Sequence, residues 1–127
     1  MTRQAITTSG APSAIGPYSQ GIAGGDLVFC SGQLGLDPLT GDLAVGVEAQ
    51  AERALRNLAA VLDAAGCSWG DVLRTTIYLA DIADFGTVNG VYARFMADPP
   101  PARSTFAVGA LPKGGLIEID AIARRRA

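Results

Sequence analysis

Two stretches decide the fold: Pro101-Ala102-Arg103-Ser104-Thr105-Phe106-Ala107-Val108 and Leu116-Ile117-Glu118-Ile119-Asp120-Ala121-Ile122-Ala123, on either side of the turn Leu111-Pro112-Lys113-Gly114-Gly115. Both read as buried β-strands, yet one carries an arginine and the other a glutamate. Unpaired charge is costly to bury, so such residues have a partner, a ligand or an interface. A guanidinium holds a carboxylate through two parallel hydrogen bonds, and a neighbouring carboxylate can hold or activate a water. Together they point to a site for a small organic acid.

Alternation along each strand sets the expected faces. Ala102, Ser104, Phe106 and Val108 share one side of the first stretch; Arg103, Thr105 and Ala107 share the other. In the second, Ile117, Ile119, Ala121 and Ala123 form an apolar row, with Glu118 and Asp120 opposite. With helices on the apolar rows, Arg103, Thr105, Glu118 and Asp120 are expected on the sheet's open face, which an oligomer closes into pockets.

Working outward, Leu27 to Ser31 reads as a strand after the turn Gly24-Gly25-Asp26. From Val47 to Ala65, apolar residues recur at Val47, Ala51, Leu55, Leu58, Val61, Leu62 and Ala65, the spacing of an amphipathic helix that Gly66 ends. Val72 to Leu79 is β-rich. A second helix starts at Asp81 or Asp84, with Phe85, Val88, Tyr92 and Phe95 on its apolar side; helical periodicity on both sides overrides the hairpin signal of Asn89-Gly90. Pro99-Pro100-Pro101 cannot continue that helix and leads in extended form to Arg103. The order is strands, helix, strand, helix, two strands. This predicts a single domain over residues 1–127, an α/β (α+β) sandwich in which two helices cover one face of a mixed sheet.

Composition narrows the chemistry. The chain is 49% hydrophobic and 17% charged, with mean hydropathy +0.27, against roughly 25% charged residues in an average domain. No apolar run reaches the roughly 18 residues of a membrane span, and Met1-Thr2-Arg3-Gln4 opens no signal peptide. The surplus apolar surface is expected to lie in a subunit interface. A net charge of −2 and a pI near 4.9 disfavour nucleic acid, which needs clustered Lys and Arg. The one basic run, Arg124-Arg125-Arg126, reads as a frayed, solvated tail. Cys30 and Cys67 read as free thiols, consistent with a reducing, cytoplasmic setting. With no histidine, a Ser-His-Asp triad and histidine metal sites are excluded. The only lysine, Lys113, reads as a solvated turn tip. Any catalysis rests on Arg, Glu or Asp, hydroxyls, backbone amides and water.

The chain also resembles the RidA family (reactive intermediate deaminase A, also called YjgF or L-PSP) from about Ala14 to Arg124. The resemblance rests on Ile15-Gly16-Pro17-Tyr18-Ser19-Gln20, Ser31-Gly32-Gln33, Val88-Asn89, Pro101-Ala102-Arg103-Ser104, Leu111-Pro112-Lys113 and Ile117-Glu118-Ile119, in that order. It implies a chorismate-mutase-like fold, a homotrimer with sites between subunits, and hydrolysis of 2-imino acids such as 2-iminobutanoate and 2-iminopropanoate without metal or organic cofactor. Carried over residue by residue, Arg103 grips the substrate carboxylate and Glu118 positions water. Tyr18, Ser31, Asn89 and Thr105 line the pocket, and Gly32 offers a backbone amide. Many members have cysteine where this chain has Thr105; threonine suits a strand and keeps a polar tip. Leu34 and Leu36 stand near the expected pocket. Competing readings are a structural Arg103–Glu118 ion pair, a binding protein that senses 2-oxo acids without turnover, and a ribonuclease or translation inhibitor, which the acidic pI and missing histidine disfavour.

Overall fold

The last two strands of the chain flank one central strand, Val72–Leu79, and the second helix packs against the first. The structure, a computed structural model, describes residues 2–126. Six strands, β1 (Arg3–Ile6), β2 (Gly21–Gly24), β3 (Leu27–Leu34), β4 (Val72–Leu79), β5 (Ala102–Ala107) and β6 (Ile117–Arg124), form one sheet in the order β1-β2-β3-β6-β4-β5. All neighbours run antiparallel except β4 and β5, which are parallel. Parallel neighbours need a crossover, and helix α2 (Phe85–Ala93) supplies it. The longer helix α1 (Val47–Ala64) joins β3 to β4.

The predicted helix over Val47 to Ala65 is therefore present, and Gly66 follows it at φ +78°, the left-handed conformation that ends helices. Its apolar stripe (Leu55, Leu58, Val61, Leu62) meets Val28, Ile77, Leu79, Ile117 and Ile119, all essentially without exposure. Each such side chain contributes about 1.5–3 kcal/mol of burial. The second helix begins as a one-turn 3-10 segment, Ile82–Asp84, with Asp81 accepting from the Ala83 amide at 2.9 Å. Among the described residues no helix covers the opposite sheet face; Phe29 and Phe106 are 47% and 44% exposed there, with Ile22 and Ile122 paired to Phe29.

Three buried polar side chains stiffen the loops at one end of the sheet. The Gln20 amide accepts from the Thr8 amide at 2.7 Å and donates to the Thr8, Ala11 and Pro12 carbonyls. Asn57, fully buried on α1, donates to the Leu34 and Leu36 carbonyls and accepts from Arg53. Gln50 donates to the Ala44 carbonyl and accepts from the Leu116 amide. Each would cost about 1–3 kcal/mol if left unpaired, so these bonds fix the loop geometry tightly. Among the described residues, no helix is long and apolar enough to cross a membrane.

Candidate functional site

Glu118 projects from the uncovered face of β6. Opposite it, β3 carries a bulge: Cys30 pairs with Ala121 and Gln33 with Ile119, so Ser31 and Gly32 together oppose Asp120. A bulge leaves a residue outside the ladder and re-aims it. Gly32 lies so close that a β-carbon there would sit 2.5 Å from the Glu118 Oε2. Only glycine leaves the carboxylate in place. Ser31 donates its hydroxyl to the Ser19 carbonyl at 2.6 Å, which commits its proton and leaves its oxygen as an acceptor. Glu118, Gly32, Ser31, Tyr18, Leu36 and Lys113 line an open groove of about 780 Å³. Burial, then the charge of Asp120, pushes the Glu118 carboxyl above the usual carboxylate range. That makes it a better base than an ordinary glutamate.

Arg103 belongs to a second hollow, of about 440 Å³, lined with Asn89, Tyr92, Met96, Pro100 and Pro101. Its guanidinium stacks over the Tyr92 ring at 4.9 Å and the Phe85 ring at 5.5 Å. The Tyr92 hydroxyl is held by Thr75 Oγ1 at 2.6 Å inside the core, and Thr75 is the register partner of Arg103. Phe85, Asn89 and Tyr92 follow one another at helical spacing on α2, so one helix face forms the wall. Among the described residues no carboxylate lies within ion-pair range of Arg103. The guanidinium is oriented, partly dry and unneutralised, which suits it to an incoming carboxylate.

The expectation that Arg103, Thr105, Glu118 and Asp120 share the open face is half overturned. Glu118 and Asp120 do lie there. Arg103 and Thr105 pair in register with Thr75 and Ile77, the buried row of β4, and so face the helix layer. Alternation gives two rows per strand; only the pairing with β4 tells which row goes inward. The more apolar row, with Phe106, points outward because β5 is an edge strand. An ion pair between Arg103 and Glu118 inside one chain is likewise ruled out: β4 stands between their strands, a lateral gap of about 10 Å, and they leave the sheet on opposite sides.

Other residues also differ from expectation. The Thr105 Oγ1 is buried without a hydrogen-bond partner among the described residues. Lys113 is the exposed turn tip expected, in a left-handed conformation (φ 58°), and it also lines the Glu118 groove. The basic run is not frayed: the Arg125 amide bonds the Asp26 carbonyl, Arg124 pairs with Asp26 and Arg126 with Asp71 at 3.0 Å each. Cys30 and Cys67, by contrast, are the free thiols expected, both buried, and burial first of all pushes the Cys30 thiol up to about 12, so it stays protonated. Tyr92, Phe85, Gln20 and Asn57 are site-building residues that sequence reasoning took for core or passed over.

Fold and geometry together define an α+β sandwich with two hollows, one holding the Arg103 guanidinium and the other the Glu118 carboxylate. Comparison with known proteins identifies the lineage. The family model described as Endoribonuclease L-PSP matches residues 8–125, and the chain belongs to this family, the RidA family. It is 48% identical over 124 residues to the 2-iminobutanoate/2-iminopropanoate deaminase of Bos taurus, covering 97% of this chain and 90% of that one. It is 52% identical over 126 residues to Protein DfrA of Myxococcus xanthus, covering 97% and 96%. The crystal structure of E. coli TdcF with bound serine superposes with a TM-score of 0.92 at 42% identity, covering 97% and 99%.

Proposed function

We propose that this protein is a cofactor-independent hydrolase that deaminates reactive 2-imino acids, 2-iminobutanoate and 2-iminopropanoate among them, to 2-oxo acids and ammonia. The observation that carries the reading is the pair of complementary half-sites on opposite faces of one sheet. A chain that cannot bring Arg103 to its own Glu118 can bring it to the Glu118 of another copy. The uncovered face with Phe29, Phe106, Ile22 and Ile122 supports association, and the family resemblance implies a homotrimer with its sites between subunits.

In such a site the substrate carboxylate docks on Arg103, with Asn89 beside it, and the carbon of the iminium faces a water held by Glu118. Tyr18 and Ser31 line the Glu118 side, and Gly32 leaves room for that carboxylate and offers its bulged amide. Thr105 contributes chiefly through its strand backbone, its hydroxyl having no partner among the described residues. Water adds to C2 while Glu118 takes its proton, giving a neutral carbinolamine. Glu118 returns that proton to the amine, the C–N bond breaks as ammonia leaves, and the freed Glu118 carboxylate takes the carbinol proton as the carbonyl forms, passing it on to solvent. An iminium is a strong electrophile, so a carboxylate base and a fixed geometry suffice. The proteins that share about half of this sequence and are named imine deaminases support this reading. A 2-imino acid generated enzymatically in the presence of the protein should release 2-oxo acid faster than its spontaneous hydrolysis; an unchanged rate contradicts the proposal.

One observation favours a second reading. The Arg103 hollow is complete within one chain and needs no Glu118 to hold a carboxylate. A binding protein for 2-oxo acids would retain Arg103-dependent affinity while showing no turnover in the same assay.

A further inference from the structure

On the open face, Glu118 does not stand alone: a tyrosine and a second carboxylate are built into contact beside it. Tyr78 of β4 is the direct register partner of Glu118, which brings their β-carbons to about 5 Å. Its hydroxyl reaches diagonally to Asp120 and donates to Oδ2 at 2.7 Å. Its ring is fixed from the other side by Phe106 of β5, edge to face at 5.3 Å and 88°. Asp120 lies two residues beyond Glu118 on the same side of β6, about 7 Å along the strand. Two carboxylates so placed disfavour each other's charge, and a donated hydrogen bond favours the charged form of whichever accepts it.

We propose that Tyr78 and Asp120 are a positioning pair for Glu118: the phenol's hydrogen bond fixes the Asp120 carboxylate two residues from Glu118 on the same face, where its field bears on the proton that Glu118 takes up and returns. This rests on the reading of Glu118 as the base of imine hydrolysis, where it must take a proton from water and return it to the leaving amine. The pair touches no substrate; it acts through Glu118.

The electrostatics agree. The bond to Asp120, followed by burial, pushes the Tyr78 phenol up to about 12, so it remains a donor throughout the working range. The Asp120 charge adds to burial in raising Glu118. Other groups face this pair as well. From β3 it meets Gly32 and Leu34, which carry no charge. Tyr18, Asp37 and Lys113 line the same groove from loops. On the Asp120 side, Arg74 and Cys30 line a shared hollow, but the Arg74 guanidinium is engaged with Ser104 Oγ at 2.7 Å.

The test follows the Glu118 side-chain carboxyl by carbon-13 NMR across pH in the full-length wild type, D120N and Y78F, each checked for folding by circular dichroism. Both substitutions keep size and shape, and Y78F keeps the Phe106 contact. The Glu118 midpoint is expected to move to lower pH in both variants. In parallel, the acid limb of the imine-hydrolysis pH profile should follow it, with kcat reduced by less than about tenfold and KM unchanged. A Glu118 midpoint that stays in place in either folded variant overturns the pair. The NMR titration needs no turnover, so a wild type that hydrolyses no imine sinks the deaminase reading while the titration still decides the role of Tyr78 and Asp120.

Discussion

Arg103 and Glu118 leave the same sheet from opposite faces, with strand β4 between their strands. One rests on the aromatic wall of α2; the other stands over the glycine of a bulge. In the proposed chemistry each is the charged centre of half a site, and the two halves come from different copies.

Arg103→Ala removes the carboxylate clamp. With each charge-assisted hydrogen bond worth about 1.5–3 kcal/mol, kcat/KM for imine hydrolysis should drop at least about a hundredfold. The fold should persist, since Arg103 supports no ion pair within the described chain and its stacking contributes about 0.5–2 kcal/mol. Arg103→Lys keeps the charge but loses the planar fork and should recover little of the activity. Steady-state kinetics with thermal melts of each variant checks this.

Glu118→Gln should abolish turnover and also stabilise the protein, in a defined pH window. Burial and Asp120 raise the Glu118 pKa in the folded state. The folded protein therefore binds this proton more tightly than the unfolded chain, and stability falls as pH rises from the ordinary carboxylate value through the raised one. Glutamine is free of that cost. The variant's stability advantage should appear above the window and vanish below it, where Glu118 is protonated in both states. Wild-type activity should decline on acidification at a pH above that of an unperturbed glutamate. Melting temperatures and rates across pH read both effects.

Gly32→Ala tests the close approach. Its β-carbon would meet the end of a flexible side chain rather than backbone, so Glu118 can swing away. Stability should change by no more than about 1 kcal/mol, while kcat falls by about a hundredfold as the base leaves its position. Denaturant titration paired with kinetics separates the two quantities.

Thr105→Val deletes a hydroxyl that is buried without a partner among the described residues. Orphaned polar groups cost about 1–3 kcal/mol, so the isosteric methyl should raise the melting temperature. Because the backbone of β5 carries this position's contribution, kcat/KM should stay within about threefold of wild type. A large loss with an unchanged melting temperature would assign the hydroxyl to substrate instead.

Much of the fold was legible because periodicity is a local property. The α1 stripe, the bounds of β4 and the apolar row of β6 follow from residues that alternate or recur. The residue types of the site, Arg103 and Glu118, stood out because charge inside an apolar strand is unusual. Which face Arg103 takes was not legible: β5 is an edge strand whose orientation is set by its parallel register with β4, a relationship between segments nearly thirty residues apart. The roles of Tyr92 and Phe85 were hidden by their helical spacing, which reads as core whether the ring meets leucine or guanidinium. Gln20, Gln50 and Asn57 gave no signal, since a buried amide in a helix or loop looks like any solvated one until its partners are known.

The most direct measurement joins two inactive proteins. Arg103→Ala and Glu118→Gln, each folded and each without turnover, are co-refolded in equal amounts and assayed for imine hydrolysis. If every site takes Arg103 from one copy and Glu118 from the next, about a quarter of the sites in randomly mixed closed oligomers hold both, and activity should return to about that fraction of wild type. Mixed oligomers that form, verified by a mass tag on one variant, and yet stay inactive would contradict a site shared between chains.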